Sequence, residues 1–195
     1  QSKITVARRI ISSDAQSDQR WLVYCEDQDQ MMELVKGLRS DRSDLRVMEY
    51  HSSLDGITRD STLREFTVLG GVIVAIRCLD EGIDIPNASH AMILASSQNP
   101  RQFIQRRGRV LRLPKGDVEK KFAVIYDLIV VPRRLAVDDL DRLSAAEIGR
   151  AHEFCSHAQN PESSIELLSQ LGKLGLDLDK CLRYMTNGVE DDSLD

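Results

Sequence analysis

Short apolar runs alternate with amphipathic segments over the first two-thirds of the chain. The apolar runs are rich in β-branched residues and show little polar alternation, as in parallel strands that are covered on both faces. We predict five such strands, at residues 21–25, 46–50, 72–76, 91–95 and 122–128. Apolar positions at helical spacing predict helices at residues 3–13, 28–38, 58–69 and from Pro100 onward. This alternation predicts an α/β fold with a parallel sheet, in which ligands gather at the carboxyl ends of the strands.

The pattern changes after Pro132, where apolar positions follow helical spacing only. We predict helices at residues 138–157, 161–173 and 179–185. We therefore expect an α/β domain over residues 1–132, in which residues 1–20 form a lead-in helix, and a helical extension over residues 133–195. This extension either packs on the domain or faces a partner.

The composition limits the class of protein. A chain of 195 residues with 42% hydrophobic content buries one substantial core and leaves length for a small appendage. The formal charge of −5 does not favour nucleic-acid binding by the chain as a whole, so any such binding must be local. No apolar run reaches the roughly 20 residues of a membrane span and no signal segment opens the chain, so we expect a cytoplasmic protein. The start at Gln1 suggests a fragment or a processed product.

The cysteines show no metal-binding pattern. The chain has four of them, at positions 25, 78, 155 and 181. They are far apart, with neither a Cys-x-x-Cys spacing nor a histidine arrangement suited to zinc. We expect reduced thiols and no metal site.

Two sequence motifs concentrate the candidate chemistry. The first motif is Gln-Arg-Arg-Gly-Arg-Val-Leu-Arg at residues 105–112, in which arginines flank Gly108. Because glycine has no side chain, it allows two backbone segments to approach each other closely. The N–H donors of a guanidinium group have a geometry that fits the oxygens of a phosphate. In phosphoryl transfer they stabilise the negative charge that develops on the transferred group. Upstream, a buried strand leads into a turn with Gly82 and Asp84. The alternatives are a solvated basic patch for the first motif and a turn-forming residue before Pro86 for Asp84.

Together the two motifs resemble motifs V and VI of superfamily 2 helicases, in the order and at the separation found in the second RecA-like lobe of those motors. The resemblance covers residues 21–132 and implies a mainly parallel sheet flanked by helices. Gly82 and Asp84 match the Gly-x-Asp of motif V, where the carboxylate lies near the ribose of the nucleotide. Glu81 stands where RNA-directed DEAD-box proteins usually carry arginine, so the chain looks more like type I and type III restriction translocases, which act on DNA.

The resemblance also implies roles for residues of motif VI. Arg109 and Arg112 match the arginine fingers that reach the γ-phosphate of ATP bound on the first lobe. Gln105 matches the position that links the two lobes, and Gly108 belongs to the same nucleotide-binding element. The implied cofactor is ATP, with Mg²⁺ held by the first lobe.

Nucleic-acid contacts are implied at two places. His51 and Ser52, with Arg59 downstream, match the position after the second strand where the family contacts the phosphate backbone. A plain hydrogen-bonded turn is the alternative at this position. The threonine that motif V often carries is absent, and Arg77 or Cys78 takes its place as a contact.

The chain lacks the sequence features of a complete nucleotide site. It has no G-x-x-x-x-G-K-[ST] loop and no Asp-Glu pair that ends an apolar strand. We therefore expect the second motor lobe of an ATP-dependent DNA helicase or translocase, inactive as an ATPase alone and joined in one polypeptide to its first lobe. Restriction and DNA repair are both open. A non-catalytic RecA-like module for nucleic acid or protein is the alternative, as is an RNA-directed helicase lobe.

Overall fold

The structure is a computed structural model that describes residues 2–76, 88–95, 123–130, 142–160, 162–179 and 182–183. The described residues up to Leu128 form one compact unit, and those from Ile129 onward form a second. The first unit contains α1 (Lys3–Asp14), β1 (Arg20–Cys25), α2 (Gln28–Asp41), β2 (Val47–Tyr50), α3 (Gly56–Leu69), β3 (Gly71–Ile76), β4 (His90–Ile93) and β5 (Val124–Asp127). The second contains α4 (Arg142–Ser156) and α5 (Glu162–Lys173).

The first unit is built on a five-stranded sheet in the order β2-β3-β1-β4-β5. Every described pairing is parallel, which confirms the predicted α/β fold with a parallel sheet flanked by helices. Strand β1 is central, and its Val23 pairs with Val74 on one side and Met92 on the other. Because β1 is covered on both faces, nearly all of its side chains are buried, as the unbroken apolar run predicted.

The main core lies between one face of the sheet and the helices α1 and α2. Alternate residues of β1 point to this face, and they include Trp21 and Val23. Helix α2 contributes apolar residues at helical spacing, namely Met31, Leu34, Val35 and Leu38. Ala7 and Ile11 of α1 complete the same cluster and are fully buried. Helix α1 is therefore part of the core of this unit.

Hydrogen bonds at the helix starts decide where α2 and α3 begin. Asp27 accepts a 2.8 Å bond from the Gln30 N–H, and the Gln30 side chain accepts a 2.9 Å bond from the Glu26 N–H. This reciprocal cap confirms the predicted start of α2. Helix α3 begins at Gly56 and not at Thr58 as predicted, because Asp55 accepts bonds from both the N–H and the hydroxyl of Thr58. These bonds hold the pKa of Asp55 below its usual value, and the bond from the Thr58 N–H has the larger effect.

Gly71 allows β3 to start close to both of its neighbours. Its φ is +113°, and a Cβ at this position would lie 2.5 Å from the Arg46 carbonyl oxygen. The Gly71 N–H donates a 2.8 Å bond to the Gln19 carbonyl, and the next residue, Val72, donates a 2.8 Å bond to the Arg46 carbonyl. A side chain at Gly71 would therefore be strained in conformation and would also push β2 away.

The second unit consists of helices, as predicted for this part of the chain. Its core contains Ala145, Ile148, Leu171 and Leu176. The buried Glu147 accepts a 2.8 Å bond from the Val130 N–H. The predicted helices at 138–157 and 161–173 correspond to α4 and α5, although residues 138–141 and 161 lie outside the described residues. Most of the helix predicted at 179–185 also lies outside them.

Candidate functional site

Three neighbouring strands end side by side at the carboxyl edge of the sheet. Strand β3 lies between β2 and β1, and the register pairs Tyr50 with Ala75 and Cys25 with Ile76. Because the strands are parallel, the connections that follow them all leave from this edge. The turn that contains His51 therefore starts at the same edge as the β1–α2 turn. The predicted motif V follows Ile76 in the sequence, at the end of the strand between them.

The β2–α3 connection and the first turn of α3 carry the predicted nucleic-acid contacts that the structure describes. His51 follows β2 directly and is half-buried, Ser52 is exposed, and Arg59 is half-exposed near the start of α3. The His51 carbonyl accepts a 3.2 Å bond from the Leu54 N–H, which closes a turn. The structure thus places His51 and Ser52 in the connection that follows β2, and Arg59 in the first turn of α3. Their contact with nucleic acid stays a prediction.

The β1–α2 turn is acidic. Glu26, Asp27 and Asp29 follow one another closely here, with Asp27 as the helix cap. Two strand spacings, roughly 10 Å, separate β1 from β2 in this sheet. Asp55 lies in the β2–α3 connection, so carboxylates follow both strands at this edge.

The cysteines of the described residues are free thiols. Cys25, at the end of β1, is buried, and Cys155 is half-buried. Burial, helped by the charge of Asp27, raises the pKa of Cys25 to about 12. The Cys25 thiol is therefore protonated at neutral pH and is not a nucleophile. Across the described ranges, no group of three His, Cys, Asp or Glu side chains is arranged to hold a metal ion.

The residues predicted to contact the nucleotide lie outside the described residues, and their roles stay predictions. They are Gly82, Asp84, Gln105, Gly108, Arg109 and Arg112. Arg77, the fourth predicted nucleic-acid contact, also lies outside them. The structure does describe the strands that flank both motifs in the sequence. Motif V falls between β3 and β4, and motif VI falls between β4 and β5.

Comparisons with known proteins agree with this arrangement. Residues 2–114 match the helicase conserved C-terminal domain. UvrABC system protein B of Mycobacterium bovis is 32% identical over 151 residues, which cover 71% of this chain and 19% of that protein. DNA 3'-5' translocase XPB2 of Sulfurisphaera tokodaii is 49% identical over 41 residues, covering 21% of this chain and 9% of that protein. The chain thus spans about a fifth of the length of the first of these relatives.

A solved structure shares the fold. It is a fragment of a putative HsdR subunit of a type I restriction enzyme from Vibrio vulnificus, which superposes with a TM-score of 0.53 at 20% identity. The match covers 64% of this chain and 25% of that one. At this identity the likeness concerns the fold alone.

The parallel sheet and the order of the two motifs define a second RecA-like lobe of the superfamily 2 helicase type. The chain belongs to the family of the helicase conserved C-terminal domain, because that domain matches more than half of its length. The expected family is therefore confirmed. Among the helices of the described residues, none has the length and apolar character needed to cross a bilayer.

Proposed function

We propose that this chain is the second motor lobe of an ATP-dependent DNA helicase or translocase. The observation that carries the proposal is the position of β3, which lies between β1 and β2 and leads directly into the predicted motif V. The chain therefore leaves β3 between the ends of β2 and β1. We expect motif V to contact a nucleic acid that lies across the same edge.

The chemistry requires a first lobe in the same polypeptide. That lobe holds ATP and Mg²⁺, and Arg109 and Arg112 of this chain reach the γ-phosphate when the cleft closes. Gln105 links the two lobes when the cleft closes, and Gly108 belongs to the same nucleotide-binding element. Asp84, in the Gly-x-Asp that begins at Gly82, lies near the ribose of the nucleotide. Arginine fingers act on a nucleotide that other groups have positioned, so this chain alone hydrolyses no ATP. Closing and opening of the cleft with each nucleotide then advance one lobe along the strand.

DNA is the proposed track. The name of one sequence relative fits it, since that relative is called a DNA translocase. His51 and Ser52 of the β2–α3 connection and Arg59 of the first turn of α3 supply imidazole, hydroxyl and guanidinium groups, which suit contacts to phosphate oxygens. Arg77 adds a positive charge after β3.

The finger assignment is tested in the two-lobed protein. Arg109→Ala and Arg112→Ala should each lower DNA-stimulated ATP hydrolysis by about 10³-fold or more, with little change in ATP affinity. Arg64→Ala, which removes an exposed arginine of α3, is the control and should leave hydrolysis unchanged. Unaltered turnover in both finger variants would remove the assignment. Comparing single-stranded DNA with RNA as stimulators tests the track, and stronger stimulation by RNA would redirect the proposal to an RNA helicase.

The nucleic-acid contact is tested separately with Arg59. Arg59→Ala should weaken DNA binding to a similar degree for all sequences. It should also reduce the slope of the logarithm of the affinity against the logarithm of the salt concentration by about one. Arg64→Ala is a matched control, because Arg64 lies on the same helix and is more exposed. Equal losses for the two variants would show a general effect of charge and would contradict a contact at Arg59.

A further inference from the structure

Helix α3 is held to the sheet mainly at one end. Phe66 is its one buried residue and lies in the last turn. Within the part of the chain that the structure describes, the hydrogen bonds of residues 56–64 all stay inside the helix and its cap at Asp55. The N-terminal half of α3 therefore has no polar tie to the described strands.

Two arginines hold the C-terminal end of α3. The Arg20 guanidinium donates two bonds to the Thr67 carbonyl, of 3.1 Å from Nε and 2.7 Å from Nη2. Arg46 donates a 3.2 Å bond from Nη1 to the Leu69 carbonyl, and its Nε lies 2.9 Å from Oε1 of Glu65. The last carbonyls of a helix have no partner within the helix and carry a partial negative charge, so they attract guanidinium groups. The last turn of α3 is therefore fixed by polar bonds.

The backbone of Arg20 is itself fixed in the sheet. Arg20 is the first residue of β1, where it pairs with Gly71 of β3. Its N–H donates a 3.0 Å bond to the Ser89 hydroxyl, and its carbonyl accepts a 2.9 Å bond from the Ser89 N–H. Arg20 therefore ties the end of α3 to the central strand and not to a loop.

The other end of α3 lies at the candidate nucleic-acid site. Because α3 connects two parallel strands, it begins after β2 at the carboxyl edge of the sheet and ends before β3 at the amino edge. Arg59 lies in the first turn and Thr67 in the last, and the helical rise separates them by about 12 Å. A tilt of α3 by about 10° around its C-terminal end would move Arg59 by about 2 Å, which is enough to break a hydrogen bond to a phosphate.

We propose that Arg20 and Arg46 are positioning residues for nucleic-acid binding. They fix the C-terminal end of α3 and so set the place of Arg59, although neither contacts the nucleic acid. This inference rests on the proposed function, in which Arg59 contacts the phosphate backbone. A helix that is already held in place loses less freedom when the nucleic acid binds, so the two arginines contribute to affinity. Their charges lie at the far end of α3, beyond a Debye length of about 8–10 Å, and add little to the phosphate contact directly.

Hydrogen exchange in the two-lobed protein tests the anchor. Arg20→Ala should speed exchange of the α3 backbone amides by about tenfold or more, because it removes both bonds to Thr67, while α2 keeps its protection. Arg39→Ala is the matched control, since Arg39 lies on α2 and also donates a bond to a backbone carbonyl, that of Val47. The control should leave exchange in α3 unchanged. Unchanged exchange of α3 in Arg20→Ala would overturn the anchor.

Binding of a single-stranded DNA oligonucleotide to the same protein tests the positioning role. Arg20→Ala should weaken the affinity by about three- to tenfold. It should leave the slope of the logarithm of the affinity against the logarithm of the salt concentration unchanged, because no phosphate contact is lost. Arg59→Ala is expected to reduce that slope, so the two roles are distinguishable. Arg20→Lys keeps the charge and a donor for the Thr67 carbonyl and should recover most of the affinity.

Two results would overturn the inference. One is unchanged affinity in Arg20→Ala, and the other is a fall in its salt slope equal to that of Arg59→Ala, which would make Arg20 a phosphate contact. If Arg20→Ala does not fold, Arg46→Ala decides by the same two measurements, because it loosens the same turn through Leu69. Failure of the proposed function shows separately, since the unaltered protein would then bind no DNA, while hydrogen exchange would still test the anchor.

Discussion

Phe66 anchors helix α3, and replacing it should cost a large part of the stability of the first unit. Helix α3 contacts β2 and β3, and Phe66 is its one buried residue, at 0% exposure. Phe66→Ala removes the transfer free energy of the ring and leaves a cavity, which together cost about 3–5 kcal/mol. A domain of ordinary stability has about 5–15 kcal/mol in total. The variant should fold, but with a much reduced margin.

Urea unfolding followed by tryptophan fluorescence measures this loss. The chain has one tryptophan, Trp21, which is fully buried in the first unit and therefore reports on that unit. With a urea dependence of about 2 kcal/mol per molar, a loss of 4 kcal/mol lowers the midpoint by about 2 M. The same variant should speed hydrogen exchange in α3, which carries Arg59.

The control is Val68→Ala in the same helix. Val68 is 73% exposed, so its replacement should change stability by no more than about 0.5 kcal/mol. The reasoning would be refuted if the two variants had equal midpoints, because the burial of Phe66 would then contribute nothing.

Three further predictions follow from single contacts. Gly71→Ala should destabilise the first unit by about 2 kcal/mol or more, because Gly71 has a positive φ and a Cβ there would meet the Arg46 carbonyl. Gly56→Ala is the control in the same urea assay and should be nearly neutral, since a Cβ at Gly56 meets no atom within 4 Å. Iodoacetamide at pH 8 should leave Cys25 unmodified while it labels Cys155, as read by mass spectrometry, and equal labelling would contradict the raised pKa. Hydrogen bonds from Arg8 lower the pKa of Asp41, and hydrogen bonds from Thr58 lower the pKa of Asp55. The stability that these bonds contribute is therefore present above about pH 4 and is lost as the pH falls further. Asp41→Asn and Asp55→Asn should flatten the fall of the urea midpoint below that pH, and an unchanged slope would argue against both contributions.

The sequence determined the class of fold and the family through local patterns. Unbroken apolar runs such as residues 21–25 and 72–76 predicted buried parallel strands, and the structure has them as β1 and β3. The order of motifs V and VI predicted the helicase lobe, and the match to the helicase C-terminal domain confirmed it. Local signals also located the start of α2 at Gln28. They failed for α3, because Asp55-Gly56 has the composition of a turn and only the bonds to Thr58 show that Asp55 is a cap.

Only the tertiary structure decided which parts of the chain meet. Alternation of strands and helices is the same for many strand orders, so the place of β3 between β2 and β1 did not follow from it. The meeting of the β1–α2 turn and the β2–α3 connection at one edge depends on that order. The hydrogen bonds from Arg8 of α1 to Asp41 of α2 likewise join two helices through residues distant in sequence. Propensities and periodicity act over a few residues, so the helices and strands could be predicted from the sequence. Pairing between strands and packing between helices depend on the whole folded chain, so the strand order and the helix contacts could not.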